Sequence, residues 1–200
     1  MLRALLLLLL CLAAPAAAQP APPAQPATVR VTLRTSLGDV VLELERARAP
    51  VTTANFLRYV DARRFDGTSF YRSMKLRSDW GLVQGGIRDP RLLYPPIAHE
   101  PTTQTGLSHG AGVISMPRRA PGSAQADFFI TVGAHPGYDA NPAGAGDNLG
   151  FAAFGRVVQG MDVVLRILEA PTSPTLGEGV MRGQMLEPQV RIITARRTTQ

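Results

Sequence analysis

The sequence predicts a mainly β protein, a barrel or sandwich of short antiparallel strands with two isolated helices. Three observations carry this. Apolar residues alternate with polar ones over short runs bounded by Gly, Pro, Asp and Ser. Only two segments space their apolar residues as a helix does. Strands and helices do not alternate regularly, which argues against a parallel sheet built from repeated strand–helix–strand units.

The folded part begins near Thr28. Val29, Val31 and Leu33 alternate with polar neighbours, Ser36-Leu37-Gly38-Asp39 makes a turn, and Val40, Leu42 and Leu44 alternate again, so this stretch is a β-hairpin. Pro50 suits a first helical position, where its fixed φ and missing N–H are harmless. Val51, Ala54, Phe56, Leu57 and Val60 then recur at helical spacing, which predicts a helix over 50–62. Short strands follow over 69–74, 82–84, 112–115, 127–132 and 151–158. Gly160 opens a second helix over 161–168, with Val163, Val164, Ile167 and Leu168 apolar, and residues 190–194 form a last strand. The Gly- and Pro-rich stretch 137–150 is long enough to be a functional loop and not a simple turn.

The chain has 200 residues, 45% hydrophobic and 18% charged, which suits one folded domain and excludes a disordered chain. Its first 18 residues are a different object. Arg3, the apolar run from Ala4 to Ala14 and the small residues Ala16-Ala17-Ala18 read as a secretory signal peptide cleaved after about Ala18. The run is well short of the ~20 residues needed to span a bilayer, so no stable membrane anchor is expected. Residues 19–27, QPAPPAQPA, carry no charge and no bulky apolar side chain, and read as an extended linker. The domain is placed at 28–195, with a C-terminal tail at 196–200. Cleavage removes Cys11, the sole thiol, and leaves a net charge of 20 − 15 = +5. The basic residues, all Arg except Lys75, are scattered apart from three pairs, a solvated surface and not a nucleic-acid site.

Nucleophilic and metal chemistry find little support. No serine lies in a nucleophile-elbow context, and His99, His109 and His135 stand without ligand-spaced partners, so they read as structural or surface histidines. Asp139, Asn141, Asp147 and Asn148 lack the spacing of a calcium loop. No cofactor and no metal are expected.

A more specific signal is a set of segments in order: Phe70-Tyr71-Arg72, Leu82-Val83-Gln84-Gly85-Gly86, Gly112 to Met116, Asp127 to Ile130, and Phe151 to Val157. With Asn55-Phe56 in the first helix and Gly160-Met161-Asp162 opening the second, they resemble the cyclophilin family of peptidyl-prolyl cis-trans isomerases over about Val29 to Ala195. The resemblance implies a closed antiparallel eight-stranded barrel capped by two α-helices. It also implies catalysis without cofactor on proline-containing polypeptides. An X-Pro bond faces a rotational barrier of ~18–20 kcal/mol, and lowering it requires only a site that binds the twisted amide better than either planar form.

On this resemblance Arg72 is the catalytic guanidinium, whose permanent charge meets the prolyl nitrogen as resonance is lost. Gln84 hydrogen-bonds the substrate backbone. Leu82, Phe129, Tyr138 and Phe151 wall the proline pocket, with Tyr71 and Met116 beside them, and Pro117 and Arg118 lie where the family's backbone meets the residue before proline. Adjacent strand residues face opposite sides, so Phe128 and Phe129 cannot both enter the barrel; the family places Phe129 at the site. Four extra residues separate Arg72 from Gln84, and Gly81 stands where a pocket phenylalanine is expected, so Trp80 is a candidate substitute. Asp127, which replaces a glutamine, is a candidate acidic partner for Arg72. Gly137 replaces the tryptophan associated with cyclosporin binding. The expected protein is a monomeric, exported, periplasmic isomerase acting on extended or incompletely folded chains. Its alternative is a non-catalytic proline-binding or holdase module.

Overall fold

A computed structural model describes residues 27–198; the expected leader and all but the last residue of the expected linker lie outside the described residues. The strands are β1 (Val29–Thr35), β2 (Gly38–Leu44), β3 (Ser69–Arg77), β4 (Trp80–Gly86), β5 (Val113–Met116), β6 (Phe128–Val132), β7 (Ala152–Gln159), β8 (Thr172–Ser173) and β9 (Met185–Thr198). They pair antiparallel in the order β1-β2-β7-β5-β6-β4-β3-β9, and β9 returns to β1, so eight strands close a barrel. Closure leaves no barrel edge open to another chain. The two-residue β8 hangs on β9 at Thr172–Leu186 and Ser173–Met185.

The predicted hairpin forms in register, with Val29 opposite Leu44 and Thr35 opposite Gly38. Thr35 Oγ1 donates to the Gly38 carbonyl and accepts from the Leu37 amide, which fixes the turn. The predicted strand over 190–194 is the middle of a much longer one. It runs to Thr198, and Arg196 to Thr198 pair with β1, so the sheet continues past the boundary drawn at 195. Arg196 and Arg197 also make ion pairs with Asp66 and Asp61.

Helix α1 (Pro50–Asp61) packs over β7 and β9 and buries Phe56, Leu57, Tyr59 and Val60. Its N-cap, Ala49, offers no side-chain acceptor. The buried Glu100 supplies one from elsewhere in the chain, taking the amides of Val51 and Thr52 at 3.0 and 2.7 Å, where a carboxylate meets unpaired N–H groups and the positive end of the helix dipole. Beyond the two expected helices there is a single-turn α2 (Thr102–Thr105), whose four residues are too few to show a helical period. Helix α3 (Met161–Glu169) buries Val163, Val164, Ile167 and Leu168 against β2, β3, β4 and β6.

The barrel is filled by the inward faces of the strands. Phe128 meets Phe56, Phe65 and Phe70 edge-on with centroids 5.5–5.7 Å apart, and Phe56 also packs on Phe154. Such geometry adds about 0.5–1.5 kcal/mol per pair beyond area burial. This rigid interior is the platform for the outer face of β3, β4, β6 and β5. Among the described residues no helix is long and apolar enough to cross a membrane.

Candidate active site

Directly opposed residues of antiparallel strands share a face, their Cβ atoms ~4.5–5.5 Å apart. Arg72 on β3 opposes Gln84 on β4, Gln84 opposes Phe129 on β6, and Phe129 opposes Ser115 on β5. Four residues far apart in sequence thus form one row across the outside of the barrel. Alternation assigns the rest: Val83 enters the core, so Leu82 and Gln84 point outward, and Phe128 enters, so Phe129 points outward. At one end of the row β3 carries a bulge, since Phe70 opposes Gly85 and Arg72 opposes Gln84 with Tyr71 unpaired between them. The bulge brings Tyr71 and Arg72 to the same glutamine.

The contacts there form a chain. Arg72 Nη1 donates to Gln84 Oε1 at 2.9 Å, Gln84 Nε2 donates to the Tyr71 hydroxyl at 2.7 Å, and that hydroxyl donates to Asp127 Oδ2 at 2.8 Å. Direction follows from chemistry: a carboxylate accepts, so Tyr71 must donate to it and accept from an amide N–H, which turns the Gln84 oxygen toward Arg72. Asp127 therefore engages Tyr71 and not Arg72. Its reach under β4 needs Gly86, where a Cβ would stand 2.4 Å from Asp127 Oδ1. Burial holds the Asp127 carboxyl above its usual range, opposed by the Tyr71 hydrogen bond and the nearby Arg88 charge. Arg88 also lies over the Tyr71 ring at 4.7 Å. Burial pushes the Tyr71 phenol up as well, so it stays protonated as a donor.

Beside this chain, Phe129, Tyr138 and Phe151 meet edge to face with centroids 5.3–5.8 Å apart. Phe129 is the nearly covered floor, while Tyr138 and Phe151 are half-buried walls open to a ligand. Leu82 is buried on the same outer face of β4. Met116, at the end of β5, is instead part of the barrel core, one step before the chain leaves at Pro117. Arg118 is committed to structure: Nε donates to the Gly150 carbonyl at 2.7 Å and both Nη groups grip Asp147. That pairing holds the Asp147 carboxyl down to about 2 and straps the 137–150 loop across to Pro117.

The segment around Trp80 differs from its expected form. The extra residues lengthen the β3–β4 hairpin, with Lys75 opposite Gly81 and Arg77 opposite Trp80, and Lys75 pairs with Glu169 of α3. Trp80 stacks on His135 at 4.5 Å, and His135 stacks on Tyr138 at 4.9 Å. Trp80 thus backs a pocket wall through an intervening ring and does not stand in for the missing phenylalanine. Gly133 makes room, since a Cβ there would lie 2.6 Å from Trp80 Cδ1.

The three histidines are bonded. His99 meets the Leu149 carbonyl and His135 the Gly81 carbonyl. His109 joins Ser115 Oγ at 2.8 Å through Nε2 and Asp139 Oδ1 at 2.6 Å through Nδ1. A Ser–His–Asp order at these distances would suit acyl transfer, yet Ser115 and His109 are 0% and 1% exposed, so no substrate carbonyl reaches the hydroxyl. The set instead ties the 137–150 loop to β5 beneath Phe129.

One site residue escaped the sequence reading. Gln184, in the turn before β9, accepts from Arg72 Nε at 2.9 Å and Nη2 at 2.7 Å. A glutamine 112 positions from its partner leaves no local pattern.

Residues 30–196 match the sequence model of the cyclophilin type peptidyl-prolyl cis-trans isomerase family. A Streptomyces antibioticus peptidyl-prolyl cis-trans isomerase is 38% identical over 152 residues, covering 74% of this chain and 87% of that protein. Another from Acinetobacter baylyi is 34% identical over 152 residues, covering 74% and 76%. Among solved structures, a Cryptosporidium parvum cyclophilin type isomerase superposes with a TM-score of 0.69 at 18% identity, over 86% of this chain and 99% of that one. A structure of it in the presence of the dipeptide Ala-Pro gives 0.68. The closed barrel, the order of its segments along the chain and these matches over most of the domain together establish that the chain belongs to the cyclophilin-type peptidyl-prolyl cis-trans isomerases.

Proposed function

We propose that Arg72 and Gln84 carry the isomerisation, on X-Pro bonds of exported, extended or incompletely folded polypeptides, and that the protein acts as a monomer. The observation behind this is the row Arg72–Gln84–Phe129, which sets a guanidinium and a carboxamide beside an aromatic pocket. The proline ring rests against Phe151, Tyr138 and the Phe129 floor. Its burial contributes about 1.5–3 kcal/mol to binding but equally for both isomers, so it anchors and does not accelerate.

Acceleration comes from the polar end. As the C–N bond twists, the prolyl nitrogen becomes pyramidal and gains a lone pair. Of the five guanidinium N–H groups, three are engaged by Gln84 and Gln184, leaving one on Nη1 and one on Nη2 for the reacting amide. Gln84 Nε2 gives one hydrogen to Tyr71 and keeps one for the substrate backbone. Arg72 makes no ion pair among the described residues, so its charge faces the twisting amide uncompensated. Burial lowers its pKa from the usual guanidinium value, and it remains charged at any working pH.

Export is supported by the sequence of residues 1–27, a leader followed by a proline-rich linker, and slow X-Pro isomerisation limits folding in chains newly exported. The test is a protease-coupled proline-peptide assay of the native protein and Arg72→Ala. Losing a preorganised donor at the reacting centre lowers kcat/KM by about 10²–10³-fold. Equal rates for both, at the uncatalysed level, would leave only the holdase reading.

A further inference from the structure

We propose that Gln184 is a positioning residue for catalysis: it holds the Arg72 guanidinium in its reactive orientation through a neutral acceptor that leaves the charge available to substrate. The inference rests on the reading of Arg72 given above. Gln184 Oε1 takes hydrogen bonds from both Nε and Nη2 of Arg72, so it meets the guanidinium edge opposite the one that meets Gln84 through Nη1. Two carboxamide oxygens therefore fix the plane of the group and leave one N–H on Nη1 and one on Nη2 unused.

The acceptor is itself oriented. Gln184 Nε2 donates to the Val180 carbonyl at 2.8 Å, so its oxygen is the end presented to Arg72. Its backbone is tied to the strand that carries Arg72, since the Ser73 amide donates to the Gln184 carbonyl at 2.9 Å. The turn is braced by Gln184 N to Met181 O and Gly183 N to Leu176 O, both 3.0 Å. The following residue, Met185, lies opposite Arg72 in the β3–β9 ladder, so register places Gln184 there. A carboxylate at the same place would grip equally well but would cancel the charge, as Asp147 does for Arg118.

The experiment measures kcat, KM and melting temperature for the native protein, Gln184→Met, Gln184→Glu, Arg72→Ala and Arg72→Ala/Gln184→Met. Gln184→Met keeps the side chain's length without an acceptor, and lowers kcat about tenfold with KM within twofold. Gln184→Glu melts no lower than the native protein and also loses kcat, which a purely structural role would not produce. In the Arg72→Ala background Gln184→Met costs nothing further, because it acts only through Arg72. Native kcat in Gln184→Met, or a further loss in the Arg72→Ala background, overturns the proposal. Native activity in Arg72→Ala overturns instead the reading of the site on which it rests.

Discussion

Replacing Tyr71 by Phe removes one hydroxyl from the middle of the Asp127–Tyr71–Gln84 chain and leaves Arg72 untouched. Asp127 Oδ1 is buried without a partner, and Oδ2 receives its hydrogen bond from Tyr71, so the variant leaves both oxygens bare. A hydrogen bond to a charged acceptor contributes about 1.5–3 kcal/mol, and an orphaned amide N–H on Gln84 adds about 1 kcal/mol. The expected loss at pH 8 is therefore about 3 kcal/mol, or about 6–12 °C in melting temperature for a domain of this size. Burial holds the Asp127 carboxyl above its ordinary value in the fold and the Tyr71 hydrogen bond restrains it, so deleting that bond raises it further. A group whose folded pKa is raised favours the fold at low pH, and that contribution is lost as pH rises from about 4 through the folded value. As pH falls through the raised folded value the carboxyl takes up a proton in both proteins, and the difference shrinks toward the roughly 1–2 kcal/mol of a neutral hydrogen bond. Urea titrations followed by circular dichroism at pH 4.5 and 8 measure it. In an Asp127→Ala background the effect of Tyr71→Phe becomes independent of pH. Without the Tyr71 acceptor the Gln84 amide is held by Arg72 alone, and kcat/KM falls about fivefold as ~1 kcal/mol of its positioning is lost. A loss of stability equal at both pH values, or none at pH 8, refutes the assigned chain.

Three other outcomes follow from the same geometry. Phe128→Ala empties the middle of the aromatic core and destabilises by about 3–5 kcal/mol, whereas Phe129→Ala, on the outer face, raises KM several-fold; steady-state kinetics and melting curves separate them, and an equal KM effect in both would contradict the facing. His109 is held below the ordinary imidazole value by burial, against the pull of Asp139. Its neutral form favours the fold, so this contribution is full above about pH 6.5 and fades as pH falls below it; His109→Gln should flatten the urea midpoint between pH 7.5 and 5.5, and an unchanged slope removes the claim. Finally, a Cβ at Gly137 meets nothing within 4 Å and the residue is exposed, so the backbone there admits a side chain and Gly137→Trp tests the effect of one. The native protein is expected to bind cyclosporin weakly in an inhibition titration and Gly137→Trp at least tenfold more tightly, with tight native binding as the contrary result.

Much of the fold was legible because it is local. The hairpin of β1 and β2 reads from alternation and a turn, and α3 from Val163, Val164, Ile167 and Leu168 on one face. Short or split elements were not legible. The single turn α2 and the two residues of β8 carry no period, and the ends of β9 lack alternation because their neighbours, β1 and β8, decide which positions are covered. Within the site, Arg72, Gln84 and Phe129 were expected from short motifs that resemble the family, and the structure brings them into one row. The partner of Asp127 was not legible, since Arg72 and Tyr71 are adjacent in the chain and only the bulge determines which of them meets the carboxylate. Trp80 was assigned to the pocket from its position near Gly81, whereas the lengthened hairpin carries it behind His135.

Periodicity and composition, which act over a few residues, were enough to predict a barrel or sandwich of short strands and an expected leader and linker ahead of it. The closed barrel and the residues expected to meet a twisting X-Pro bond came from short motifs in order that resemble the cyclophilin family. The tertiary structure decided how those residues are held: the row from Arg72 to Ser115, the proton order fixed by Asp127, and the grip of Gln184 on Arg72. Hydrogen-bond direction and cross-strand register depend on which strands lie side by side, and that is set only when the barrel closes.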